Sequence, residues 1–426
     1  MNRMHATRSL GLAAVLALSL IAPSVGVATA DRQQQTTSSP LSEMEGSGTP
    51  QDPYVITTPE ELQAIDEDLT AHYVLGNDID ASVTETWNAG NGFDPIGGQN
   101  GAFRGSLDGN GHTVSGLTIV RPGLGKVGLF SVSRGTIQNI SLRDVLINGN
   151  QNIGALAGVN LGSVTGSSAT GRIQGTAGNV GGLVGVNAGQ IVASYAETTV
   201  SGQETVGGLA GVSRGPIRGS YASGDVTAQT VAGGLVGVNN NALTASYATA
   251  TVDVEEVGGG LVGSNGGTIR TSYAASEVDG NASVGGLVGR NGNSIVSQSY
   301  WDEDTAGVKH AAGDRADIGT ALSTGEMSGD SAADNLDGFD TANIWMTSDD
   351  YPVHQWERSD VDPLDQWQVP TPTAAPPTPT AAPTAAPTPT PTPTSSGSFG
   401  VGPGFGPAAV FLAIAALAAL GVTRRP

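Results

Sequence analysis

Between residues 180 and 300 the chain repeats itself every 26 residues, and that period limits what it can fold into. Tyr195, Tyr221, Tyr247 and Tyr273 each sit in Ser-Tyr-Ala, and a fifth Ser-Tyr, at Ser299 and Tyr300, comes one residue late. Leu183, Leu209, Leu235, Leu261 and Leu287 share the spacing, as do Ile191, Ile217, Leu243, Ile269 and Ile295, and Val200, Val226, Val252 and Val278. A unit this short cannot bury a core alone, so the repeats must stack. Each unit holds three brief β-branched stretches, such as Thr268-Ile269-Arg270, separated by glycine or asparagine. These are too short and too punctuated for helices and suit strands between tight turns.

One unit per coil gives an all-β, right-handed parallel β-helix with about 26 residues per coil, in which each apolar side chain stacks on its counterpart. The same reading places the tyrosines in the stacked columns. A polar column, Asn187, Ser213, Asn239, Asn265 and Asn291, is expected to pass amide hydrogen bonds from coil to coil. Glycine at 63 of 426 residues follows from close-packed corners. Pro59 to Ile65 reads as a short helix with Thr58 as N-cap, closing the first coil. Residues 302–366 carry 16 acids against three bases and are expected to close the other end, with Trp301, Trp345 and Trp356 over the last coil.

Weaker copies precede the regular block, at Gly154-Ala155-Leu156-Ala157-Gly158 and Val127-Gly128-Leu129-Phe130. Together with the Gly-Gly-Leu-Val-Gly cores and the Tyr300-Trp301-Asp302 exit, this pattern resembles the GLUG-motif repeat of bacterial and archaeal surface proteins, over roughly residues 46–356. The resemblance implies a β-helix and a surface location, and it implies no particular activity.

The two ends read as addresses. Arg3 and Arg8, an apolar run, and Ala28-Thr29-Ala30 form a signal peptide cleaved before Asp31, so the chain is exported. Residues 369–396 alternate Pro with Thr and Ala and form a stalk that reaches roughly 80 Å at ~3.1 Å per residue. Pro403-Gly404-Phe405, an apolar run and Arg424-Arg425 follow, and they resemble the PGF-CTERM signal of haloarchaeal surface proteins. That resemblance implies an archaeosortase partner and a lipid anchor on the outer face of the cytoplasmic membrane; a retained C-terminal helix is the alternative. The chain thus divides into a signal peptide (1–30), a flexible segment (31–45), an N-terminal cap with opening coils (46–121), repeats (122–301), an acidic C-terminal cap (302–368), the stalk (369–396) and the sorting signal (397–426).

Composition narrows the function. The absence of cysteine excludes disulfide scaffolds and thiol chemistry. Removing both signals leaves 14 Lys and Arg against 39 acids, a formal charge of −25, which fits a high-salt habitat and argues against a nucleic-acid partner. The acids of the repeats, among them Glu197, Asp225, Asp253 and Glu277, converge on no readable groove, so no catalytic residues are expected. No cofactor is expected, with calcium at Asp78, Asp80, Asp108 and Asn110 the one candidate, since these turn clusters complete no EF-hand loop. Asn139 and Asn281 open N-glycosylation sequons.

The expectation is therefore a surface-anchored β-helix with a structural, adhesion or recognition role in an archaeal envelope. S-layer components, surface glycans and other surface proteins are its candidate partners, besides the signal peptidase and archaeosortase that would mature it. A secreted polysaccharide lyase or glycoside hydrolase on the same scaffold is the alternative.

Overall fold

A computed structural model describes residues 39–314 and 318–358. Among these residues the chain winds as a parallel β-solenoid. A ten-stranded sheet runs from Tyr54–Ile56 to Val296–Ser297, and a twelve-stranded sheet starts at Ile79–Asp80 and ends at Thr320–Leu322. Seven strands, Phe130–Ser133 through Val288–Asn291, form a third wall, and five more, Asn179–Gly181 through Ser283–Gly285, a fourth. The repeat sets the register directly, with Tyr221 beside Tyr247 and Val226 beside Val252.

The core is the sum of the ladders. Leu183, Leu209, Leu235, Leu261 and Leu287 are all fully buried, as are Val200, Val226 and Val252. The amide column forms as the sequence implies: Asn160 Nδ2 donates to Asn187 Oδ1 at 2.8 Å, Asn239 to Asn265 at 2.9 Å and Asn265 to Asn291 at 2.8 Å. Ser213 stands in for asparagine and accepts from Asn187 at 3.1 Å. Glycine is required where walls touch: a Cβ on Gly208 would lie 2.1 Å from the Gly234 carbonyl oxygen, and one on Gly234 2.0 Å from that of Gly260.

Two details differ from the sequence reading, in Ile295 and in the tryptophans, and the direction of the stacked tyrosines adds to it. Ile295 leaves its column and is 55% exposed, because the last coil takes its extra residue after Asn291, so that Val296 pairs with Ile269. The tyrosines face outward from the twelve-stranded sheet, away from the aliphatic core, and form a second cluster of their own. Trp345 and Trp356 belong to that second cluster and line the side of the solenoid; Trp301 alone packs at its end, where its ring meets Gly286.

Ala306 to Ala312 and the strand Thr320–Leu322 pair with the last coil and cover it, whereas residues 324–358 run as a strap along the tyrosine stack, where closure of the last coil was expected of the whole segment. Ring centroids of Tyr195, Tyr221, Tyr247 and Tyr273 lie 4.7, 4.9 and 5.0 Å apart and are nearly parallel. The Tyr247 hydroxyl donates to Glu357 at 2.8 Å, and that of Tyr273 to the Pro352 carbonyl at 2.6 Å. His354, fully buried, bridges Ala245 O and Glu357 Oε1 at 2.8 and 2.7 Å. A stack of aromatic rings on an outer wall leaves a large apolar surface, and the strap covers it.

At the other end the helix Pro59–Ala64 forms with Thr58 and Glu61 in a reciprocal cap, and Leu62 and Ile65 bury in the main core. Of the segment expected to be flexible, the described part packs on the first coil: Met44 is buried and Glu45 O accepts from Val55 N at 2.9 Å.

Candidate functional site

The regular coils present flat walls. The opening coils do not, because two glycine-rich insertions, Gly97-Gly98-Gln99-Asn100-Gly101 and Pro122-Gly123-Leu124-Gly125-Lys126, break the period and stand out from the wall. Three adjoining cavities form around them.

The first, about 640 Å³, is lined by Glu60, Asp66, Glu67, Asp68 and Asp94. Each well-placed carboxylate there already has donors. Asp66 accepts from Gly97 N at 2.8 Å and Asn100 Nδ2 at 2.7 Å, which fastens the glycine loop to the cap. Asp94 pairs with Arg121. Hydrogen bonds from the Thr70 side chain and backbone hold the Asp68 carboxyl below its usual range. A general acid for glycoside cleavage needs the opposite shift. Asp66, Asp68 and Asp94 are held in place by these partners.

The second, about 790 Å³, shares Asp66, Asp94 and Asn100 with the first and adds Asn91, Gln99, Ser131 and Gln151. The third, about 410 Å³, shares Gly98 and Lys126 with the second and is lined by Arg104, Lys126 and Arg134 with no acid. The result is a trough of three adjoining cavities, the first lined by acids, the second by amides together with Asp66, Asp94, Arg121 and Lys126, and the third by bases without an acid.

The residues singled out in the sequence lie elsewhere. Asp78 accepts from Thr113 N at 2.9 Å and contacts His112 at 3.3 Å, and those bonds lower its pKa. Hydrogen bonding from Ser82 lowers that of Asp80. Asp108 closes a turn by accepting from Asn110 N at 2.8 Å, with Asn110 at φ 51°. Asp80 and Asp108 serve turns, Asp78 ties to the next coil, and among the described residues no three acidic or histidine side chains gather as a metal site. Asn281 is exposed on a turn, whereas Asn139 is half-buried with its amide directed at Asp108. Ala28, Ala30, Asp31, Pro403, Gly404 and Phe405 lie outside the described residues. No helix among the described residues is long and apolar enough to cross a membrane.

Sequence reasoning missed the trough because its residues run from Pro40 to Leu161, across coils where the period is weakest. The signal that could have found it is the pair of glycine-rich insertions, one of which ends on Lys126, one of only two lysines in the chain.

Fold and trough together define a parallel β-solenoid with a polar trough in its opening coils. No family model matches the chain. It is 40% identical to halomucin of Haloquadratum walsbyi over 144 residues, which is 31% of this chain and 2% of that protein. A candidate Gly-rich membrane protein of Evansella cellulosilytica is 33% identical over 126 residues, 28% of this chain and 14% of that one. The chain therefore matches a small part of either relative's length. Among solved structures, a candidate immunoglobulin A1 protease from Bacteroides ovatus superposes with a TM-score of 0.50 at 20% identity, over 73% of this chain and 94% of its own. At that identity the likeness is one of fold.

Proposed function

We propose that this chain is an exported β-solenoid displayed on an archaeal cell surface, where it serves as a recognition or adhesion module of the envelope. The observation that carries the reading is the order of parts: a cleavable apolar leader, a long repeat wall, a Pro/Thr stalk, then Pro403-Gly404-Phe405 before an apolar run and two arginines. Acid-rich, lysine-poor composition and the identity to halomucin support a high-salt surface setting. In this reading the GLUG-type repeats form a rigid arm and an archaeosortase replaces the tail with a lipid near Phe405. The stalk then holds the solenoid clear of the membrane.

Mass spectrometry of the protein released from its native envelope tests this. An N-terminus at Asp31 and a C-terminus near Pro403 with a lipid-sized mass addition are expected. An intact chain through Pro426 without lipid overturns the sorting step and leaves the retained helix as the anchor.

A second reading, a polysaccharide-acting enzyme, is favoured by the five carboxylates of the first cavity. It requires one of them to act as a proton donor. If Asp66→Asn abolished a measurable cleavage of an acidic or neutral glycan while the fold stayed intact, the second reading would replace the first.

A further inference from the structure

Among the described residues the basic end of the trough has no ion-pair partner. Across the chain acids outnumber bases 39 to 18, yet Arg104, Lys126 and Arg134 share a cavity that no acid lines, and none of them forms an ion pair with a described residue. Arg104 and Arg134 occupy the same place in consecutive coils: Phe103 bridges to Ser133 just before them, Ser106 pairs with Thr136 just after, and Arg134 N donates to Phe103 O at 2.7 Å. Like charges side by side on neighbouring strands are unfavourable. The column drops the charge at its next step, Leu161.

Arg104, Lys126 and Arg134 are all exposed, and two further observations mark the space between them. Lys126 holds a left-handed backbone at φ 64°, a costly conformation for a residue with a long side chain, and it lies on the rim shared by the second and third cavities. The facing wall is glycine, with Gly97 at φ 73° and Gly101 at φ 115°, so backbone lines the space where side chains would fill it, and Asp66 fixes that loop in place.

The geometry points to an oxyanion subsite for an acidic polysaccharide: a uronate carboxylate or sulfate ester sits between Arg104, Lys126 and Arg134, and the adjoining sugars lie along Gln99, Asn100 and Gln151. Guanidinium pairs match the bidentate geometry of carboxylates and sulfates, and neutral amides bond sugar hydroxyls. The 410 Å³ and 790 Å³ cavities are of ligand size and adjoin at Gly98 and Lys126. No aromatic residue lines either cavity, which leaves nothing for nucleic-acid bases to stack on. Because the whole chain is strongly acidic, attraction at a distance plays no part and recognition depends on contact, which suits high salt. This deepens the recognition reading and rests on it for where the ligand is met; the binding itself needs no cell.

The test is calorimetric titration of the full chain with a galacturonate tetramer, a sulfated tetrasaccharide, a neutral tetrasaccharide of equal length and inorganic sulfate, at 0.2 M and 2 M NaCl. At least one acidic tetramer is expected to bind at both salts, at least tenfold tighter than sulfate and with no signal from the neutral sugar. Arg104→Gln and Arg134→Gln should each weaken it at least tenfold while melting at or above the parent temperature, since each removes an uncompensated like-charge contact. The proposal fails if neither acidic tetramer binds, if the neutral sugar or sulfate binds as well, or if both variants bind unchanged. Failure here with a lipidated, surface-exposed protein in the native envelope removes the ligand and leaves the location standing.

Discussion

Replacing Asn265 by aspartate distinguishes a ladder of amides from a row of independent turns. Asn265 is 1% exposed; its Oδ1 accepts from Asn239 at 2.9 Å and from Gly267 N at 3.2 Å, and its Nδ2 donates to Asn291 Oδ1 at 2.8 Å. A carboxylate in its place would keep both accepted bonds and the local turn but would present an acceptor to an acceptor and bury a charge. An unsatisfied buried polar group costs about 1–3 kcal/mol and an unpaired buried charge about 3–5 kcal/mol. Asn265→Asp is therefore expected to cost at least ~3 kcal/mol. Asn265→Ala orphans Asn291 Oδ1, Gly267 N and one Asn239 Nδ2 hydrogen and should cost about 2–4 kcal/mol. Urea unfolding at fixed high salt, followed by far-UV circular dichroism, measures both. If turn propensity alone selected asparagine, aspartate would be near neutral, since both residues favour the same turns. An Asn265→Asp midpoint equal to the parent's refutes the ladder.

Other consequences are accessible with the same protein. Burial raises the hydroxyl pKa of Tyr221, Tyr247 and Tyr273, with neighbouring Glu357 adding to it, so these phenols stabilise the fold while protonated and that contribution is lost as pH rises past ~10, where the unfolded phenol ionises. Absorbance at 295 nm should show them titrating only as the protein unfolds; early titration of all tyrosines would contradict the strap. At the opposite extreme, burial would raise the Asp302 pKa, but donors from Tyr351, Thr324 and Thr305 outweigh it and hold it low. Its stabilisation is present above pH ~4 and lost as pH falls through the lower folded value. Asp302→Asn should flatten the acid side of the stability profile, and an unchanged profile would remove Asp302 from the strap's anchorage. Thr271 takes φ 45° at a corner where Gly219, two coils earlier, takes φ 55°, so Thr271→Gly should raise stability by about 1 kcal/mol, read from the same urea curves; a loss would show that the corner is not strained.

The fold was legible wherever the period is exact. Fixed 26-residue spacing assigns Leu235 and Val226 to the core without any structure, because stacking leaves identical positions in identical surroundings. The same logic misplaced Ile295, since one inserted residue shifts a column without altering its composition. It also could not tell inward from outward for the tyrosines: a ladder of rings stacks equally well on either side of a sheet, and only the strap, which reaches Tyr247 from Glu357, 110 residues downstream, makes the outward choice favourable. The trough was hidden for a related reason. Arg104 and Arg134 are 30 residues apart, outside the regular spacing, and become neighbours only through the register of the opening coils.

The central claim is that successive repeats stack in register, one coil per repeat. The chain has no cysteine, so pairs of spin labels can be placed without background. Leu146, Arg172, Asp225 and Glu277 are exposed and lie in one column of the twelve-stranded sheet. Double electron–electron resonance on labelled Leu146→Cys/Asp225→Cys, Arg172→Cys/Glu277→Cys and Leu146→Cys/Glu277→Cys should give backbone separations of about 14, 19 and 24 Å, three, four and five steps of ~4.8 Å. Distances that fail to rise by about 5 Å per repeat would contradict the solenoid and everything built on it.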